Sequence, residues 1–238
     1  MCRYNKNFDE IFTENLQNEL LAKKIAVIGC GGQGGYILEF LVRLGVKSIL
    51  FWDGDTYESS NLNRQVGCTE LTIGMNKAIS LANKLCEINS QITLFPKNWY
   101  FGDKDTDLLE ILSVDFVFIG ADCYYNIHQW RELLREVIVK GIPVIDCPVN
   151  LLGGSVYIET KNDLGHFDFT TEMLIKQYES TIAPNCSQTA YKCALIAAEA
   201  VNQMVLYFKN SRYACIDTQL DIDIYHHKYT FSDKYGIF

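Results

Sequence analysis

Short apolar runs alternate with helical-period segments along the first 150 residues. "KIAVIG", "KSILFW", "QITLFP", "DFVFIG" and "IPVIDC" read as buried strands, because each is a brief apolar block bounded by glycine, acid or polar residues. Between them, "GYILEFLVRLG" repeats apolar side chains at helical spacing through Ile37, Phe40, Leu41 and Leu44. "IGMNKAISLANKLCEIN" does the same through Ile79, Leu81, Ala82, Leu85 and Ile88. "DTDLLEIL" predicts a short helix, and "NIHQWRELLREVIVKG" a longer one stopping at Gly141. Strand followed by helix throughout predicts an α/β fold: a Rossmann-like, doubly wound, mostly parallel sheet with helices on both faces.

The pattern changes after Asn150. "GGSVYIET" is a strand, and 161–185 reads as a polar, irregular crossing segment. "SQTAYKCALIAAEAVNQMVLYF" is a long, very apolar helix suited to a core or a subunit interface, and two strand-like stretches near 213–230 close the chain as antiparallel strands. Residues 1–22 read as a polar arm with helical content from Phe8 to Leu21. No repeat or interdomain linker interrupts 1–238, so a single domain is expected.

Composition narrows the partners. The chain is 48% hydrophobic, ample for a core, and carries 29 acids against 21 bases, a net charge of −8. That balance argues against nucleic acid, which needs a basic face. The polar first twenty residues, with Asp9, Glu10, Glu14 and Glu19, are unlike a signal peptide, and the apolar stretch "CALIAAEAV" is broken by Glu199. A cytoplasmic protein without membrane contact is the expectation. The nine cysteines are scattered singly with no CxxC pair, so no zinc site is expected, and most read as small buried residues in a reducing compartment.

Gly29, Gly31 and Gly34, with Gly32 between them, form a GxGxxG turn between a strand and a helix, where backbone amides and the helix dipole receive a phosphate. The bland alternative is a tight turn that binds nothing. Asp53 ends the second strand and is placed to accept ribose hydroxyls of NAD or ATP alike; Asp55 is equally eligible by composition, and Asp53 is preferred as the first acid off the strand. "SSNLNRQ" then supplies Asn61 and Arg64, with Lys77 13 residues beyond Arg64. Two cations and an amide behind a phosphate turn suit a triphosphate, though either cation alone is more often a solvated surface charge. Asp122 follows another strand end, where it would hold Mg²⁺ on a nucleotide or merely cap the next helix.

Together these residues resemble the ThiF/MoeB/HesA family, bacterial relatives of ubiquitin-activating enzymes. The resemblance rests on "RYNKNF" (family RYxRQ), "GCGGQG" (GxGGxG), "DGDTYESSNLNRQ" (DxDxVxxSNLxRQ), "IGMNKA" (IGxxKA), "PVIDCPVNLLGGSVYI" and "NCSQTAYKCALIAAEAV", nearly the whole length. It implies an ATP-dependent adenylyltransferase that activates the C-terminal glycine of a small ubiquitin-like or sulfur-carrier protein as an acyl-adenylate. Gly29–Gly34 would cradle phosphate and Asp53 hold the ribose. Asn61, Arg64 and Lys77 would hold the triphosphate, and Asp122 would carry Mg²⁺. It also implies a homodimer in which a basic residue of the arm, Lys6 or failing that Arg3, reaches the neighbouring site.

Departures from the family pattern matter. The two CxxC zinc knuckles are absent, Lys6 stands where the motif has arginine, and "ADCYY" replaces the family's "TDN", leaving Tyr124 and Tyr125 without a role. Cys186, at the start of the last helix, is either a nucleophile with a thiol acidified by the helix N-terminus or a small structural residue. Cys193, further along, reads as core, and His128, His166, His226 and His227 form no catalytic cluster. Three rival readings stay open. One is adenylation of a ribosomal peptide C-terminus. Another is an NAD-dependent oxidoreductase, which leaves Arg64 and Lys77 without a job. The third is a non-catalytic half of a heterodimer.

Overall fold

The computed structural model describes residues 4, 6–10, 12–121, 127–179, 188–216 and 218–233. Helices α1 (Glu14–Ala22), α2 (Gly32–Leu44), α3 (Lys77–Ile88), α4 (Thr106–Ile111), α5 (Ile127–Val139), α6 (Leu164–Glu179) and α7 (Ala190–Phe208) surround one sheet. Its strands are β1 (Lys24–Ile28), β2 (Ser48–Trp52), β3 (Thr93–Lys97), β4 (Phe116–Ile119), β5 (Val144–Asp146), β6 (Gly153–Glu159), β7 (Thr218–Asp223) and β8 (Lys228–Asp233). They lie in the order β3-β2-β1-β4-β5-β6-β7-β8. β1 to β5 pair in parallel and β6, β7 and β8 antiparallel. This is the doubly wound sheet with antiparallel C-terminal strands that the pattern predicts.

Both faces of the sheet are covered, which is why β1, β2 and β4 are continuous apolar runs. Alternate side chains of β1 serve different cores. Ile25 and Val27 face α1, α2, α3 and α7, while Ala26 and Ile28 face α4, α5 and α6. α7 packs its apolar face inside the chain, with Ile196, Ala197, Ala200 and Met204 fully buried, so it is a core helix. In α3, Ile79 is 42% exposed and Ala78 takes the inward place.

Within 161–185, of which 180–185 lie outside the described residues, the expectation fails over 164–179, which form the helix α6 and not irregular chain. Its apolar Leu164, Phe167, Leu174 and Ile175 lie against the second core. Glycine, aspartate and two threonines interleave with them and hide the period. The arm is helical over a shorter stretch than its pattern suggests, with Thr13 capping α1 by accepting the Leu16 N–H.

Candidate nucleotide site

The sequence of strands reverses direction across β1 and β4, and a crevice opens at their carboxyl ends, the usual ligand position in such sheets. A cavity of about 560 Å³ lies there, walled by Gly31, Gly32, Asp53, Arg64, Lys77 and Tyr100 among others. Gly29 and Gly34 serve packing. Gly29 has φ +93°, and a Cβ there would sit 2.6 Å from that of Ala121. A Cβ on Gly34 would collide with the Gly29 carbonyl. These two glycines bring α2 hard against β1 and β4, while Gly31 and Gly32 at the helix start border the cavity.

The acid turn after β2 is fastened to the start of α3. Asn76 caps α3 by accepting the Ile79 N–H, and its Nδ2 donates to the Asp53 and Asp55 carbonyls at 3.0 Å each. The Lys77 N–H donates to the Asp55 carbonyl at 2.9 Å. This stitching sets the Lys77 ammonium 2.9 Å from Asp55 Oδ2, with Lys77 only 7% exposed.

The two acids have separate environments. Asp53 points inward and accepts the Cys30 N–H at 2.7 Å and the Asp55 N–H at 2.9 Å. Burial pushes its carboxyl up, with Lys77 and both N–H groups pulling against the rise. Its remaining lone pairs can still accept from a hydroxyl. Burial also acts on Asp55, but hydrogen bonds from the Tyr100 hydroxyl and Lys77 outweigh it and leave the carboxyl below its ordinary value. Tyr100 is held by its own loop: Asp107, fully buried, accepts from the Trp52 and Trp99 indoles at 3.0 Å each and from Gly102 N–H at 2.9 Å. Trp52, Tyr100 and Phe101 make an aromatic wall on this side.

Asn61 and Arg64 belong to the turn around Ser59–Asn61. Asn61 is buried, and its Oδ1 accepts the Glu58 N–H at 3.1 Å, so part of its function is to shape the turn. Arg64 reaches the cavity and is braced by Gln188. Gln65 also lines the cavity, with its Oε1 buried and unpaired among the described residues, an acceptor left open on the wall.

Gly29, Gly31, Gly32, Asp53, Asn61, Arg64 and Lys77 thus line one crevice, while Gly34 does not line it and packs against Gly29 and Gly120. Asp122, Cys186, Arg3, Tyr124 and Tyr125 lie outside the described residues, and Lys6 sits in an exposed turn of the arm. Sequence reasoning passed over Tyr100, Asn76, Gln65 and Gln188; for Gln65 the signal was present in "NRQ". Cys30, Cys68, Cys147, Cys193 and Cys215 are buried and Cys86 exposed. Among the described residues, no group of three or more His, Cys, Asp or Glu is arranged to hold a metal, and no helix is long and apolar enough to cross a membrane.

A glycine turn, paired acids and two cations meet at the switch point of a doubly wound α/β sheet. The chain belongs to the ThiF family, whose model matches residues 4–232. It is 28% identical over 144 residues to the tRNA threonylcarbamoyladenosine dehydratase of Bacillus subtilis, covering 60% of this chain and 55% of that one. It is 27% identical over 164 residues to the molybdopterin-synthase adenylyltransferase of Escherichia coli, covering 68% and 64%. The matched stretch is therefore less than two thirds of either relative. Escherichia coli MccB, solved with ATP, shares the fold at a TM-score of 0.79 over 98% of this chain and 72% of that one, at 21% identity.

Proposed function

We propose that this chain is an ATP-dependent adenylyltransferase that activates the C-terminal carboxylate of a small ubiquitin-like or sulfur-carrier protein. A carboxylate oxygen of the substrate attacks the α-phosphorus of ATP, the bond to the bridging oxygen breaks, and pyrophosphate leaves. The product is an acyl-adenylate open to a thiol or other sulfur nucleophile. Such a reaction needs positioning and charge stabilisation more than covalent help from the protein.

The observation that carries this reading is the convergence of Arg64 and Lys77 on the crevice that Gly31 and Gly32 border. The two cations would hold the triphosphate and stabilise charge growing on the leaving pyrophosphate, with Asn61 beside them. Asp53 would hold the ribose, and the Trp52–Tyr100–Phe101 wall would face the base. Mg²⁺ would screen the phosphates, and the acid assigned to it is Asp122. Family membership and the named adenylyltransferase relative support the activity. A tRNA substrate, which the Bacillus subtilis relative's name carries, fits poorly with a net charge of −8.

We also propose a homodimer in a cytoplasmic setting, with Lys6 or Arg3 lent to the neighbouring site. Because α7 is spent on the core, the seam falls elsewhere. Leu71, Ile73 and Met75, exposed on the loop leading to Lys77, are apolar surface that a second copy would cover. A mass of one chain by light scattering at working concentration would refute it. Cys186 is the candidate acceptor thiol; normal transfer by Cys186→Ala would make it structural.

The activity is tested by ATP–pyrophosphate exchange with two carboxylate donors, a ubiquitin-fold protein ending in Gly-Gly and a short peptide with a free C-terminus. Exchange that depends on a free carboxylate and stops on its amidation supports adenylation. The donor that works decides between the protein and the ribosomal-peptide readings. Silence with both donors would contradict the proposal.

A further inference from the structure

Arg64 is held differently from Lys77. A guanidinium has five N–H donors. The Arg64 Nε donates to Gln188 Oε1 at 3.0 Å, and its Nη1 donates to the Ser60 carbonyl and to Asn63 Oδ1, each at 2.9 Å. Three donors are thus spent, and among the described residues the two on Nη2 are not. Every partner is a neutral oxygen, whereas Lys77 is engaged by the Asp55 carboxylate. Gln188 is doubly tied to this turn, since its carbonyl also accepts Asn63 Nδ2 at 3.3 Å, and it lines the cavity itself.

Resting on the adenylation reading, we infer that Gln188 is a positioning residue that presents Arg64 to the β- and γ-phosphates through a neutral hydrogen bond. An arginine side chain free to rotate would have to be ordered when ATP binds. The Gln188 amide, with Ser60 and Asn63, orders it beforehand, and it does so without consuming charge. A carboxylate at position 188 would make the same hydrogen bond but would pair with the guanidinium and repel the phosphates.

The test is calorimetric titration of the full chain with Mg·ATP and, separately, with AMP, which lacks the phosphates Arg64 would hold. Gln188→Ala should weaken Mg·ATP about tenfold, the lower end for a hydrogen bond to a charged group, and leave AMP within about twofold. Gln188→Glu, which keeps the acceptor and so guards against loss of the local structure, should weaken Mg·ATP at least as much. In an Arg64→Ala background, Gln188→Ala should add no further loss. Wild-type Mg·ATP affinity in Gln188→Ala, equal weakening of ATP and AMP, or full rescue by glutamate would each overturn the inference. If the unaltered chain binds no Mg·ATP, the adenylation reading fails first and takes this with it.

Discussion

Two polar clusters occupy this sheet, and they are built on opposite terms. At the switch point, Asp53, Asp55, Lys77, Tyr100 and Arg64 face a cavity, and among the described residues the Nη2 donors of Arg64 are unspent. Beneath α6, Arg131 is only 2% exposed, and its donors go to Thr171 Oγ1 at 2.7 Å, Thr170 Oγ1 at 2.8 Å and the Phe167 carbonyl at 3.1 Å. Its Nη1 lies 3.7 Å from Asp146, which also accepts the Tyr157 hydroxyl at 3.2 Å. His166 and Glu159, each 1% exposed, meet at 2.6 Å beside them. Both clusters contain acids and bases in close contact. One lines a cavity and is suited to a ligand; the other commits its donors to backbone and hydroxyls and fastens α6 to the sheet.

Substitutions should separate the two. The largest effect belongs to Arg64→Ala and Lys77→Ala, each expected to cut ATP–pyrophosphate exchange by about 10²–10³-fold, the scale of losing one donor to developing charge. The melting temperature should move by only a few degrees, since neither residue anchors the core. Arg131→Met should do the reverse. Breaking a buried pair costs about 3–5 kcal/mol, and at roughly 2–4 °C per kcal/mol the melting temperature should fall by about 6–20 °C. Calorimetric Mg·ATP affinity of the folded variant should stay at the wild-type value; a parallel loss of binding would mean the clusters are one unit.

Titration should divide them as well. Burial holds the Asp146 carboxyl above its ordinary value, against Arg131. The folded state then binds the proton more tightly than the unfolded chain, so this contribution to stability declines as pH rises above the ordinary carboxylate range. Asp55 is held below its ordinary value, so its contribution is present above the ordinary carboxylate range and is lost as pH falls below that range through the lowered value of the folded state. Melting curves from pH 3 to 7 should therefore show Asp146→Asn relieving a decline toward neutral pH and Asp55→Asn removing a loss in acid. Slopes of the same sign in both variants would contradict the assignment. The smallest expected effect is Tyr100→Phe, a severalfold weakening of Mg·ATP from losing the hydroxyl that steadies Asp55. An unchanged calorimetric affinity would make Tyr100 a wall and no more.

The same division explains what the sequence discloses. β1, β2 and β4 are legible because covering both faces of a parallel sheet demands unbroken apolar runs. Gly29, Asp53, Arg64 and Lys77 are legible because each sits at a fixed offset from a strand end or motif. Tyr100 and Gln188 are not, because their place depends on chain segments far apart meeting at the crevice. α6 was hidden for a related reason. Thr170 and Thr171 are poor helix formers, chosen here for the hydroxyls that receive Arg131. Half-buried hydroxyl residues at those positions blur the apolar stripe that would have announced a helix.

Thermal unfolding of the wild type and Arg64→Ala with Mg·ATP and with NAD asks whether the crevice binds a nucleoside triphosphate through Arg64. A ligand at 100 times its dissociation constant adds about 2.7 kcal/mol, or roughly 5–11 °C for a chain of this size. Mg·ATP should give that upward shift in the wild type and none in Arg64→Ala, and NAD should give none in either. A shift with NAD alone, or a Mg·ATP shift that survives in Arg64→Ala, would rule out triphosphate binding through Arg64.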